Sequence, residues 1–166
     1  MISMKFAPYF RKRCMMIRMV LLAAVLTGLL GAATLEPGEP VLPMVIADQF
    51  ETPRGVGNEH YWVVAWDRET TQLANRFFAA RKKLLSDGTA ALIVDVSQTP
   101  SGIMELFVLP RMRSYDHPIL LSYDAETNRR FPYREGCVTL LHWEQGVLAE
   151  VGFASDGETL GHLLGQ

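Results

Sequence analysis

Two apolar runs with a helical stripe between them dictate most of what this chain can become. His60-Tyr-Trp-Val-Val-Ala-Trp66 and Ala90-Ala-Leu-Ile-Val-Asp-Val96 are rich in β-branched and aromatic residues and predict strands. Between them, Arg68 to Leu85 predicts a helix. Leu73, Phe77, Phe78, Leu84 and Leu85 fall near one of its faces, and Asp87-Gly88 ends it. Two strands joined by a helix pair in parallel through a right-handed crossover.

The flanking segments extend this unit. Val41 to Phe50 predicts a short extended segment, and Glu51-Thr-Pro-Arg-Gly55 a turn. A second helix is expected from Pro100 to Leu109, capped by Ser97 or Thr99 and stopped by Pro110. His117 to Tyr123 predicts a third strand, and Asp124 to Glu135 a polar loop. Cys137 to Trp143 and Val147 to Phe153 form a hairpin across Glu144-Gln-Gly146. Asp156 to Leu164 closes as a helix capped by Ser155 or Asp156. The hairpin makes the sheet mixed, with helices expected on both faces.

Residues 1–33 have a different character. Arg11-Lys12-Arg13 and Arg18 precede an apolar run, Met19 to Ala33, of 15 residues. A membrane-crossing helix needs about 20, whereas the apolar part of a signal peptide has about 7–15. Gly31-Ala32-Ala33 supplies the small residues a signal peptidase takes. The reading is a signal peptide over 1–33 and one domain over 34–166, periplasmic or secreted; the alternative is a retained N-terminal anchor. Cys14 precedes the apolar run, whereas a lipid-modified cysteine would follow it. The leader holds five basic residues and no acid, so the other 133 residues carry 11 basic and 18 acidic groups, net −7. So acidic a body argues against nucleic acid as a partner. No membrane contact is expected once the leader is removed. The body has one cysteine, Cys137, so it has no internal disulfide and relies on its core.

The element order over roughly residues 41–164 (strand, helix, strand, helix, three strands, helix) resembles the thioredoxin-like fold. Local patterns support the likeness. Pro43 to Phe50 is similar to the opening of exported thioredoxin-like and peroxiredoxin-like proteins. Tyr61 to Trp66 resembles the strand that delivers the active site, and Gly136-Cys-Val-Thr-Leu-Leu141 the strand that follows the active-site proline. The resemblance implies a three-layer sandwich around a mixed central sheet. It also fixes where the chain departs. A redox-active thioredoxin carries two cysteines just after that first strand, at a helix N-terminus that lowers the thiol pKa. Here the place reads Trp66-Asp-Arg-Glu-Thr-Thr71. The cis-proline position is Val138, expected to be trans because a non-proline cis bond costs about 2.5–4 kcal/mol. The chain is therefore read as redox-inactive in the dithiol sense.

Three kinds of chemistry stay open. Cys137, with Arg134 three residues before it to favour a thiolate, is the one catalytic candidate; a small buried residue at a strand start accounts for it equally. Asp67 and Arg68 follow the first central strand, and Asp95 ends the second. All three belong at the strand edge where α/β sheets bind ligands. Asp67 and Asp95 together, neutralised by Arg111 or Arg113, could do acid–base work or hold a metal. Helix capping by Asp67 and Ser97 explains the same residues. His60, His117, His142 and His162 lack metal-ligand spacing and read as surface or strand-end residues. No phosphate-binding loop, dinucleotide fingerprint or nucleophile elbow occurs, so no cofactor is expected. The expected function is a protein- or ligand-binding module; the alternative is a single-cysteine thiol reductase or peroxidase using Cys137.

Overall fold

The computed structural model describes residues 33–166. The expected signal peptide or anchor over residues 1–33 lies outside the described residues, apart from Ala33. Residues 34–166 form one compact unit. Its centre is a five-stranded sheet in the order β5-β4-β3-β6-β7. The strands are β3 (Tyr61–Ala65), β4 (Ala90–Asp95), β5 (Leu120–Ser122), β6 (Val138–Glu144) and β7 (Val147–Ala154). β3, β4 and β5 run parallel, while β6 is antiparallel to both β3 and β7. This is the mixed sheet the sequence predicts.

Alternation along the strands divides the core. Val63, Ala65, Leu92, Val94, Val138 and Leu140 face one side, where they pack with Phe77, Phe78, Met112 and Leu160. Trp62, Val64, Ala91, Ile93, Leu141 and Trp143 face the other, with Leu35, Ile46 and Phe131. A period of two with both faces covered is what a central strand requires. The first face carries helix α1 (Arg68–Ala79), the single turn α2 (Lys83–Ser86) and the C-terminal α6 (Gly157–Leu163). It also carries a helical segment over residues 101–112. The second face is covered differently from expectation. A small hairpin, β1 (Met44–Ala47) with β2 (Pro53–Val56), and the segment around Phe131 do the work, with α5 (Ala125–Asn128) as the only helical turn there among the described residues.

Four local expectations are corrected. Pro53 and Gly55 lie in β2; the turn is Asp48 to Thr52, where buried Asp48 accepts from the N–H groups of Phe50 (2.9 Å) and Thr52 (3.0 Å). A proline as first residue of an edge strand sacrifices no ladder bond. The helix from Arg68 breaks after Ala79 and restarts at Lys83. The segment expected to stop at Pro110 continues to Met112. It begins as α3 (Ser101–Ile103), widens into a π-helical stretch (Met104–Val108) and resumes as α4 (Leu109–Met112). The N–H of Leu109 reaches back five residues to the carbonyl of Met104. Pro110 thus sits in the opening turn of α4, where its missing N–H costs nothing. Finally, Ser97 and Thr99 cap nothing: Pro100 precedes α3 without a side-chain cap, and Ser97 gives its N–H to Asp95 Oδ1 at 2.8 Å.

Candidate functional site

At the C-terminal ends of β3 and β4 the chain leaves a groove of about 600 Å³ between α1 and the 101–112 segment. Trp66, Asp67 and Asp95 lie at the strand ends, Thr71 and Asn75 on α1, and Phe107 and Arg111 on the opposite wall. Ile103, Leu106 and Phe107 are exposed apolar residues of that wall. Leu106 and Phe107 stand out because the π-helical stretch offsets them from the buried residues Met104 and Leu109.

Asp67 caps α1. Its Oδ1 accepts from the Thr70 N–H and the Thr70 hydroxyl, both at 2.8 Å. Thr70 Oγ1 in turn accepts from the N–H groups of Trp66 and Asp67, each at 3.0 Å. This is a capping box, and Thr70 is buried. So the strand-to-helix junction where a redox thioredoxin holds its thiols is closed here by an aspartate and a threonine. Trp66 completes the closure: its Nε1 donates to Thr139 Oγ1 at 3.1 Å, and its ring meets Tyr133 edge-on at 5.3 Å.

The structure brings Asp67, Arg68 and Asp95 to the one groove. Asp95 Oδ1 accepts from Ser97 N–H and from Asn128 Nδ2 at 2.6 Å, and Asn128 Oδ1 accepts from the Ser122 hydroxyl at 2.5 Å. That chain holds the ends of β4, β5 and α5 together and fixes the Asp95 carboxylate. Arg111 lines the groove, whereas Arg113 turns away. Arg113 donates to the Gln49 carbonyl at 2.8 Å and pairs with Glu51 at 3.3 Å, so it neutralises neither aspartate. Among the described residues no group of three His, Cys, Asp or Glu side chains could hold a metal ion.

Cys137 and Arg134 lie apart from this groove. Extending the β3–β6 register places Cys137 opposite Trp66, at the same end of the sheet, and it is partly exposed. Arg134 does not turn to the thiol. Its guanidinium lies 4.1 Å over the Phe153 ring, and its carbonyl accepts the Cys137 N–H at 3.2 Å. Val138 follows a trans peptide bond.

His117 corrects its sequence reading as a surface or strand-end residue. It lies just before β5, but it is only 3% exposed. Its Nε2 is 2.8 Å from Asn75 Oδ1, and Asn75 Nδ2 donates to the Thr71 carbonyl at 2.9 Å. Asn75 is itself 1% exposed on the core side of α1 and lines the floor of the groove. Burial holds the His117 pKa below its ordinary value, Lys82 adds to this, and Asp116 opposes it. The sequence carried one signal for this pair: an asparagine among the apolar positions of a helix.

No protein-family model matches the sequence, and no curated protein matches it. Solved structures do share its architecture. StoA from Bacillus subtilis superposes with a TM-score of 0.53 at 13% identity, over 78% of this chain and 100% of that one. The peroxidoxin BcpB from Mycobacterium tuberculosis gives a TM-score of 0.53 at 15% identity, over 79% of this chain and 95% of that one. At such identities the likeness is one of fold. Sheet order, strand directions and these neighbours together place the chain in the thioredoxin-like superfold.

Proposed function

We propose that this is an exported thioredoxin-like domain that binds a protein or small ligand in the groove between α1 and the 101–112 segment, without a dithiol cycle. The observation that carries the reading is the capping box at the β3–α1 junction. Asp67 and Thr70 occupy the place of a redox pair, and Cys137 is the only cysteine among the described residues. What remains beside that junction is a recess within the usual 300–1,000 Å³ of ligand sites, apolar on one wall and polar at the strand ends. Asp67, Arg68, Asp95 and Arg111 then orient the ligand, and Phe107 supplies apolar contact. Export rests on the basic stretch and 15-residue apolar run at the N-terminus. No helix among the described residues is long and apolar enough to cross a membrane.

Chemical-shift mapping against mixed soluble peptides and small-molecule fragments tests this. Binders should move the amides of 67–75 and 98–115, and Phe107→Glu should abolish the shifts. Binders that map elsewhere, or survive Phe107→Glu, would refute the assignment. The partial exposure of Cys137 favours a second reading, a one-thiol reductase or peroxidase. Two observations weigh against it: Cys137 does not line the groove, and Arg134 is engaged with Phe153. Cys137→Ser separates the two, because the binding module keeps its function and the thiol enzyme loses it.

A further inference from the structure

The groove has a device beneath it that its binding role does not require. His117 is fixed at the backbone: Gln49, fully buried, donates Nε2 to the His117 carbonyl at 2.8 Å and accepts the Ile119 N–H at 2.8 Å. Its imidazole is held at one nitrogen only. Because Asn75 Nδ2 is committed to the Thr71 carbonyl, Asn75 presents its oxygen to His117. Nε2 therefore carries the proton, and Nδ1 is a bare lone pair. That Nδ1 is buried and has no hydrogen-bond partner. Protonation creates an N–H there with nothing to receive it, in a site closed to water. A buried unpaired donor on a charged ring is among the costlier defects a core can carry.

The charges around the ring do not relieve it. Lys82 is paired with Asp116, the residue before His117, at 2.5 Å. Arg113 reaches the Gln49 carbonyl and Glu51. Tyr115 lies 5.4 Å away ring to ring, and Asn75, the side chain bonded from α1, is uncharged. Both Asn75 and Tyr115 line the groove. The geometry points to an acid-operated latch: the neutral His117 ring holds Asn75 and Tyr115 in the groove wall, and its protonation expels the ring and releases them. A domain outside the cytoplasm meets the pH of its surroundings, so the groove would close to its ligand as the medium acidifies. The latch adds to the binding reading, but its test needs no ligand.

The test is an NMR titration of the full chain from pH 8 to 4.5. It follows the imidazole signals of the four histidines, the Asn75 side-chain amide and the Tyr115 ring. Asn75 and Tyr115 should shift in one step that coincides with His117, at a midpoint below 6.5. His117→Gln, whose amide can still donate to Asn75 but cannot titrate, should lack the step while His60, His142 and His162 titrate unchanged. If that variant fails to fold, Asn75→Asp serves: a carboxylate facing Nε2 should move the step upward by at least one pH unit. The latch is overturned if His117 titrates while Asn75 and Tyr115 stay still. It is equally overturned if their shift follows another histidine, or if His117 stays neutral until the whole chain unfolds.

Discussion

Replacing Asp67 by alanine removes two acceptor contacts at 2.8 Å, to the N–H and the hydroxyl of buried Thr70. It leaves an orphan donor in the first turn of α1 and loosens the Thr70 hydroxyl that receives the Trp66 and Asp67 N–H groups. N-cap losses run about 0.5–2 kcal/mol. The buried, reciprocal box here puts the expectation at the upper end, about 1.5–2 kcal/mol, with about 0.3–1 kcal/mol of it from the carboxylate facing the helix dipole. Asp67→Ser keeps the cap geometry and drops the charge, so it should lose only that smaller part. Urea unfolding followed by tryptophan fluorescence gives both values, with the midpoint falling and the slope unchanged. The reasoning fails if Asp67→Ala lies within 0.3 kcal/mol of wild type, or if Asp67→Ser costs as much as Asp67→Ala.

Four further outcomes follow. The His117 pKa is lower folded than unfolded, so the unfolded chain takes up the proton first. Stability should fall as pH drops below about 6.5 and level off once the folded pKa is passed, and His117→Gln should flatten that slope in pH-dependent urea melts. Burial raises the Asp48 pKa, but Arg54 and the N–H groups of Thr52 and Phe50 outweigh it and leave the pKa lowered. Its stabilisation is therefore present above the unfolded value and is lost as pH falls through the folded pKa. Asp48→Asn should shrink the loss of stability in that acid range. Phe78, fully buried against the sheet, should cost about 3–5 kcal/mol as alanine, read as a fall in urea midpoint. Cys137 should react with iodoacetamide in the folded protein because it is partly exposed, and Cys137→Ser should leave the melting temperature within a degree or two.

The central strands were legible because they are buried on both faces and read as unbroken apolar runs: Val63 and Val64, or Leu92 and Ile93, belong to opposite sides of the sheet. β2 was not, since Pro-Arg-Gly-Val carries the residues of a turn and becomes a strand only by pairing with β1. Asp67 and Asp95 were placed at the correct edge because strand ends of parallel pairs coincide. The opposite wall was missed because Pro110 reads as a stop, and only the widened turn before it lets the helix continue. His117 looked like a surface residue because what buries it, Asn75 and Gln49, lies 42 and 68 positions away.

The widened turn has a consequence for how such a groove changes over time. A π-helical stretch holds one surplus residue compared with α-helical spacing. Deleting a single residue between Met104 and Val108 would restore ordinary spacing and rotate everything after it by about 100° relative to α3. Arg111 and Met112 would leave the positions they now hold, and Pro110 would face a helix interior that needs its missing N–H. The side chains this wall offers are thus set by a residue count as much as by residue identity. Length variation in this one turn, more than point substitution, is the route by which related chains would acquire a different specificity.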